Sequence, residues 1–168
     1  MIKLINVSKE YTAGIKAVDN LSLNVRPGEI YGFIGPNGAG KSTTIKMITG
    51  ITNSDGGDIY INNININNDI EAKKQFAYVP DSPDMFLKLK GIEYLNFIAN
   101  IYGVSKTDRK ERILSLAEKF ELSNVLGDKI QSYSHGMRQK IVLIGALLPN
   151  PKVWILDEPL TGLDPKSS

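Results

Sequence analysis

The sequence contains no cysteine. Disulfides and thiolate metal sites are therefore excluded, in accord with a reducing compartment. Histidine is nearly missing as well: His135, set between Ser134 and Gly136, is the only one. No stretch approaches the ~18 consecutive apolar residues of a membrane span. The N-terminal MIKLINVSKEY lacks the long apolar core of a signal peptide. The expectation is a chain that neither crosses a membrane nor carries an export signal, so a membrane role needs a partner. Charge of one sign is not in excess: 20 basic against 18 acidic residues leave a net +2. That is too little to argue for nucleic acid or an anionic membrane. Internal repeats and sustained heptads are absent. What remains is 168 residues, 42% hydrophobic and 23% charged, the profile of one soluble globular domain with a real core.

The first third reads as strands. KLINVSKEY (3–11) and AVDNLSLNV (17–25) alternate apolar and polar residues with period two, as half-buried strands do. A turn at Arg26–Gly28 leads into EIYGFIG (29–35), a continuous apolar run that predicts a buried strand. The period then changes, and Ile45, Ile48 and the closing Gly50 suit a short helix. Ile59, Ile61, Ile64 and Ile66 return to strand-like alternation, and the asparagine-rich 62–68 reads as a polar hairpin or loop. The middle is helical. Ile92, Leu95, Ile98 and Tyr102 recur at helix spacing before Gly103, a natural stop. Ser105 and Asp108 form a capping box ahead of a stripe of Ile113, Leu116, Ala117 and Phe120. Met137, Ile141, Ile144 and Leu148 line another helix that ends at PNP. KVWILD (152–157) then resembles a parallel strand delivering a carboxylate at its C-terminal end.

Two segments carry chemistry. GPNGAGKS, Gly35 to Ser42, matches GxxxxGK[ST] between a strand and a helix. Average residue frequencies put a chance match in a chain this long at about 0.006. Glycines let the backbone turn its N–H groups onto phosphate oxygens, and the helix N-terminus adds the positive end of its dipole. Lys41 brings an ammonium to the outer phosphates, and the Ser42 hydroxyl can ligate Mg2+. The second segment is the acid pair Asp157–Glu158 at the end of VWILDEP. Asp157 is placed to hold Mg2+ directly or through water, opposite Ser42. Glu158, one residue on, can polarise an attacking water as general base. An acid pair after an apolar run means little alone; a phosphate loop upstream gives it meaning.

Three further pieces complete an ordered set: YTAG near the N-terminus, SYSHGMRQK (132–140), and LTGLDP directly after the acid pair. With these the chain resembles the ATP-binding cassette (ABC) family over about residues 2–165. GPNGAGKST looks like Walker A, VWILDE like Walker B, TGLD like the D-loop, and YSHGM falls where the family carries its LSGGQ signature. The wording of 28–50 and 78–86 looks most like the ABC-2 class of exporters. The resemblance implies an α/β fold, a P-loop NTPase core with an N-terminal antiparallel β subdomain and an inserted helical subdomain. Residues 1–168 would form one incomplete ABC domain: 1–82 the β subdomain and Walker A core, 83–130 the helical subdomain, 131–168 the signature, Walker B and D-loop. The cofactors implied are ATP and Mg2+. Gly35, Pro36, Asn37, Gly38, Ala39, Gly40, Lys41, Ser42 and Thr43 would hold the nucleotide, with Tyr11 as adenine platform. Ser134 and Gly136 would meet the γ-phosphate of a partner cassette's ATP. Lys41 and Glu158 would be catalytic, and Ser42, Asp157 and Asp81 would form the metal shell.

The same resemblance implies a second cassette, identical or not, and a membrane-spanning permease subunit at the cytoplasmic face. It implies no nucleic-acid partner. A soluble ABC ATPase of ribosomes or DNA is the rival; the compact stretch from Thr43 to Tyr133, without heptads or cysteines, argues against it. A non-hydrolysing regulatory cassette is a third reading, against which intact Lys41, Asp157 and Glu158 count. Two departures from the family pattern stand out. Asp81 occupies the usual place of the Q-loop glutamine and lacks its amide donor. The chain stops at Ser168, before the strand that in the family ends in the switch histidine; the expectation is a truncated piece, poorly stable alone and weak or inactive in hydrolysis. His135 takes the place of the first signature glycine and reads as a tolerated replacement, not a base.

Overall fold

A computed structural model describes residues 1–67 and 70–158. The LTGLDP segment, and Asn68 of the asparagine run, lie outside the described residues. The chain divides into two compact units, Met1–Phe76 and Ala77–Ser168.

The first unit is built on an antiparallel sheet of order β2-β1-β3-β4. Its strands are β1 (Ile2–Thr12), β2 (Ile15–Val25), β3 (Gly56–Ile61) and β4 (Ile64–Asn65). Ile2 faces Val25 on one side and Ile61 on the other; Leu4 faces Leu23 and Ile59. Leu4, Val7, Ile59 and Ile61 are buried. The strict alternation read from the sequence is broken, because Leu4 and Val7 are three residues apart yet both buried. Asn6, at φ 50, sits between them where the register shifts. This is a bulge, in which one extra residue turns the following side chains to the other face. Asn20 of β2 repeats the device at φ 51. Serines repair the backbone: Asn6 N–H donates to Ser22 Oγ and Asn20 N–H to Ser8 Oγ. The asparagine run forms the β3–β4 hairpin as expected, with Asn62 and Asn63 both left-handed, the signature of a tight hairpin turn.

The helix α1 (Lys41–Ile48) stops at Gly50 (φ 67). A short α2 (Ile70–Lys73) was not legible in the sequence. One expectation fails outright. Residues 29–35 form no strand, and Ile30, Tyr31 and Ile34 are exposed. Apolarity does not make a strand; its N–H and C=O groups need neighbours. Among the described residues the run's backbone bond outside regular elements is Glu29 N–H to the Arg26 carbonyl.

The second unit is helical around a two-stranded sheet of β5 (Phe76–Val79) and β6 (Val153–Leu156). The Asp157 N–H donates to the Val79 carbonyl at 2.9 Å, so the C-terminal ends of both strands lie side by side, as in a parallel pair. Ile155 is buried while Trp154 and Leu156 stay exposed, so one face of β6 is covered. Three helices, α3 (Gly91–Ile101), α4 (Lys106–Lys119) and α5 (His135–Leu147), pack their apolar stripes together. Leu95, Ile113, Ile141, Ile144 and Leu148 are in one buried cluster, each worth about 1.5–3 kcal/mol of burial. Ser105 Oγ accepts the Asp108 N–H at 3.1 Å and starts α4. Glu93 takes the Lys90 N–H at 2.8 Å at the head of α3.

Two stability predictions follow from this packing. Gly57 has φ 78, and a Cβ there would be driven into the Ile5 and Asn6 carbonyls of β1. Gly57→Ala should lower the unfolding free energy by about 2–4 kcal/mol in urea titrations. Gly14→Ala, with the same handedness (φ +81) but open space around it, should cost only about 1 kcal/mol. Burial, with a smaller contribution from Tyr102, pushes the Tyr94 hydroxyl from 10.0 up to about 12. The folded protein keeps that proton where the unfolded chain loses it. The stabilisation is whole below pH 10 and is lost as pH climbs towards 12, a fall of about 2–3 kcal/mol. Tyr94→Phe should remove most of this slope; Tyr102 and Tyr133, also raised by burial, leave a shallower remainder.

Candidate functional site

In the first unit the Gly35–Thr43 segment is a turned loop opening α1. Gly38 and Gly40 take φ 82 and 83. Gly40 answers two demands. Left-handed backbone excludes most side chains, and a Cβ there would strike the Ala17 carbonyl and approach Val18 Cγ2 to 3.1 Å. The loop is thereby pressed against β2 and feeds α1 from a fixed point. Ala39 N–H donates to the Pro36 carbonyl at 3.2 Å, closing the turn. Thr44 is buried, and its N–H and Oγ1 both donate to the Gly40 carbonyl at 2.8 Å.

No side chain caps the N-terminus of α1, which leaves its first N–H groups for an anion. Lys41 folds back over the loop, donating to the Gly35 carbonyl at 2.6 Å and the Pro36 carbonyl at 2.8 Å. Asn37, Gly38, Ala39 and Ser42 are exposed, and Gly35 and Thr43 half-buried. The segment is neither stretched out nor sealed under side chains. Tyr11, near the end of β1, is 60% exposed, with the Lys9 ammonium 5.7 Å from its ring centroid.

In the second unit the ends of β5 and β6 gather two of the expected acids. The Tyr78 hydroxyl is pushed up first by burial and then by the charges of Asp157 and Asp81. Asp81 is exposed, and Asp157 is half-buried. Glu158 is exposed and left-handed, with φ 47. Such a backbone costs a non-glycine residue of order 1 kcal/mol or more.

Ser134 caps α5: its Oγ accepts the Met137 N–H at 3.3 Å. Buried Tyr133 anchors the cap from behind through its hydroxyl, which donates to the Val125 carbonyl at 2.6 Å. Ser134, exposed, and Gly136, half-buried, therefore present the start of a 13-residue helix. His135 is exposed there too.

Sequence reasoning missed two features of this unit. Arg138 pairs with Asp84 at 2.8 Å and donates to the Gln131 carbonyl at 3.0 Å, tying the signature helix to the segment after Asp81. No periodic signal links residues 54 apart in sequence. A groove of about 120 Å3 is lined by Met85, Phe86, Tyr94, Ile98 and Tyr102, among others. Phe86 stacks at 5.5 Å between centroids on both Tyr94 and Phe97. Phe97 lies off the buried stripe of α3 and is 42% exposed. That exposed aromatic on an amphipathic helix was the legible clue.

The comparisons agree with these motifs. The sequence pattern of the family described as ABC transporter matches residues 18–161. The uncharacterized ABC transporter ATP-binding protein YhcH of Bacillus subtilis is 40% identical over 98% of this chain and 53% of its own length. The SkfA peptide export ATP-binding protein SkfE of the same organism is 37% identical over 98% of this chain and 68% of its own. A maltose/maltodextrin import ATP-binding protein, MalK of Photorhabdus laumondii, is 35% identical over 97% and 44%. Among solved structures, an ATP-binding subunit of an ABC transporter superposes with TM-score 0.92 at 35% identity, covering 99% of this chain and 69% of that one. A dimeric ATP-binding cassette bound to ADP and Pi superposes with TM-score 0.88 at 30% identity, covering 99% and 78%. The protein belongs to the ABC transporter family, and the chain is a partial ABC cassette. The chain spans about half to two thirds of the length of these B. subtilis relatives.

With His135 a tolerated replacement for glycine, His135→Gly in a full-length protein should hydrolyse ATP at least as fast as the parent in a steady-state phosphate-release assay. A collapse of turnover would make the imidazole a participant.

Proposed function

We propose that this protein binds and hydrolyses ATP to power transport through a separate membrane-spanning permease, on the cytoplasmic face of the membrane and in the direction of export. The observation that carries the reading is the exposed Gly35–Thr43 loop. It ends in an uncapped helix start, with the Lys41 ammonium held over its carbonyls. That arrangement supplies backbone donors and one cation to a polyphosphate. Peptide export by the relative SkfE supports the direction; import by MalK is the competing precedent.

The proposed roles are residue by residue. The amides of Gly35 to Thr43 cradle the phosphates, Lys41 stabilises charge on the γ-phosphate, and Tyr11 stacks on the base. Ser42, Asp157 and Asp81 are the proposed Mg2+ ligands, the ion supplying charge neutralisation of the phosphate oxygens. Among the described residues no three His, Asp or Glu side chains converge to hold a metal. Glu158 draws the proton from the attacking water.

Ser134 and Gly136, at the head of α5, are proposed to face the γ-phosphate bound by a second cassette, identical or different. The dimeric relative with ADP and Pi supports this pairing. The aromatic groove around Phe86 offers the permease an apolar seat. No helix of the described residues is long and apolar enough to cross a membrane, so such a seat matters.

In a full-length protein, Glu158→Gln should keep ATP affinity while turnover drops by about 10²–10⁴. It should also prolong an ATP-dependent dimer, read by light scattering. Unchanged turnover would remove Glu158 from the mechanism. Copurification with ribosomes or DNA instead of a hydrophobic membrane subunit would refute the transport assignment.

A further inference from the structure

The β1–β3 ladder ends at the pair Ser8–Gly56. Beyond it, Lys9 to Thr12 run on without β3, through two shifts of register against β2. Tyr11 stands in this ragged end. An exposed aromatic there would sample several rotamers, and any flat ligand would have to order it first.

Asp55 takes over where the ladder stops. Its own N–H donates to the Ser8 carbonyl at 2.9 Å. One carboxylate oxygen accepts the Glu10 N–H at 2.7 Å, and the other accepts the Lys9 ammonium at 2.7 Å. The Lys9 side chain, 14% exposed against 48% for Asp55, brings its ammonium to 5.7 Å from the Tyr11 centroid. The Lys9 hydrogen bond, and after it the Glu10 amide, hold the Asp55 carboxyl below its ordinary range; the clamp is ionised at neutral pH. A cation within about 6 Å of a ring face is attracted to it. Tyr11 keeps three fifths of its surface open, ring area left for a stacked partner.

We propose that Lys9 and Asp55 are positioning residues for base recognition: Asp55 clamps Lys9, and Lys9 steadies the Tyr11 ring for a purine on its free face. This rests on the reading of Tyr11 as the adenine platform. The effect reaches the base and not the phosphates, which meet the Gly35–Thr43 loop.

The test titrates the intact protein with Mg2+-ATP and, separately, with Mg2+ and inorganic tripolyphosphate, which has phosphates and no base. Lys9→Met and Asp55→Asn should each weaken ATP about two- to fivefold and leave tripolyphosphate unchanged. Lys9→Arg, which keeps a cation for both Asp55 and the ring, should bind ATP like the parent. Tyr11→Ala should weaken ATP alone, by about five- to a hundredfold. If Tyr11→Ala leaves the ratio of the two affinities untouched, the platform reading falls and the proposal falls with it. If Tyr11→Ala shifts the ratio while Lys9→Met and Asp55→Asn do not, the platform stands and the proposal is overturned. Equal weakening of both ligands by Lys9→Met and Asp55→Asn marks a merely structural clamp and overturns it too.

Discussion

The close approach of Gly40 to strand β2 is the constraint from which the Gly35–Thr43 loop takes its shape. With no Cβ, the backbone lies against the Ala17 carbonyl in a left-handed conformation, and α1 begins at the next residue. The loop cannot cap its own helix, because the capping position has no side chain. The first-turn amides are left for a ligand, and Lys41 turns onto the Gly35 and Pro36 carbonyls. A polyphosphate would exchange those carbonyl contacts for stronger charge-assisted ones. The site is thus pre-shaped by a steric requirement, and its ligand meets donors already in place.

Asparagine does elsewhere what glycine does here. Asn6, Asn20, Asn62, Asn63 and Asn150 all have positive φ, a backbone that asparagine tolerates better than other side-chain-bearing residues. Two of them bulge the β1–β2 hairpin, and two turn the β3–β4 hairpin. The bulges leave the far end of β1 irregular, and there Asp55 and Lys9 supply by side chain what the ladder no longer supplies by backbone. In the second unit the burden falls on core packing. Tyr133 is buried and bonded to the Val125 carbonyl behind the signature cap, so Ser134 and Gly136 are presented by a rigid base.

The turned loop that opens α1 was legible because it is local. Gly38 and Gly40 take their left-handed backbone within the motif itself, and α1 begins at Lys41, so spacing alone carries the geometry. The helix stripes were legible for the same reason, and Leu95, Ile113, Ile141, Ile144 and Leu148 are buried as their periodicity required. Residues 29–35 were misread because apolarity reports a wish for burial, while a strand needs hydrogen-bonding neighbours that the run itself cannot provide. The alternation of β1 was misread because a bulge is set by backbone conformation at Asn6, which hydropathy does not record.

The α/β class, the helix stripes and the glycine turn that opens α1 were therefore written in the sequence, since each depends on neighbours within a few positions. The tertiary structure alone decided that the Asp157 N–H reaches the Val79 carbonyl, that Arg138 reaches Asp84, and that Asp55 reaches Lys9. These contacts join residues distant in the chain, and their formation depends on register, twist and packing that no local pattern encodes.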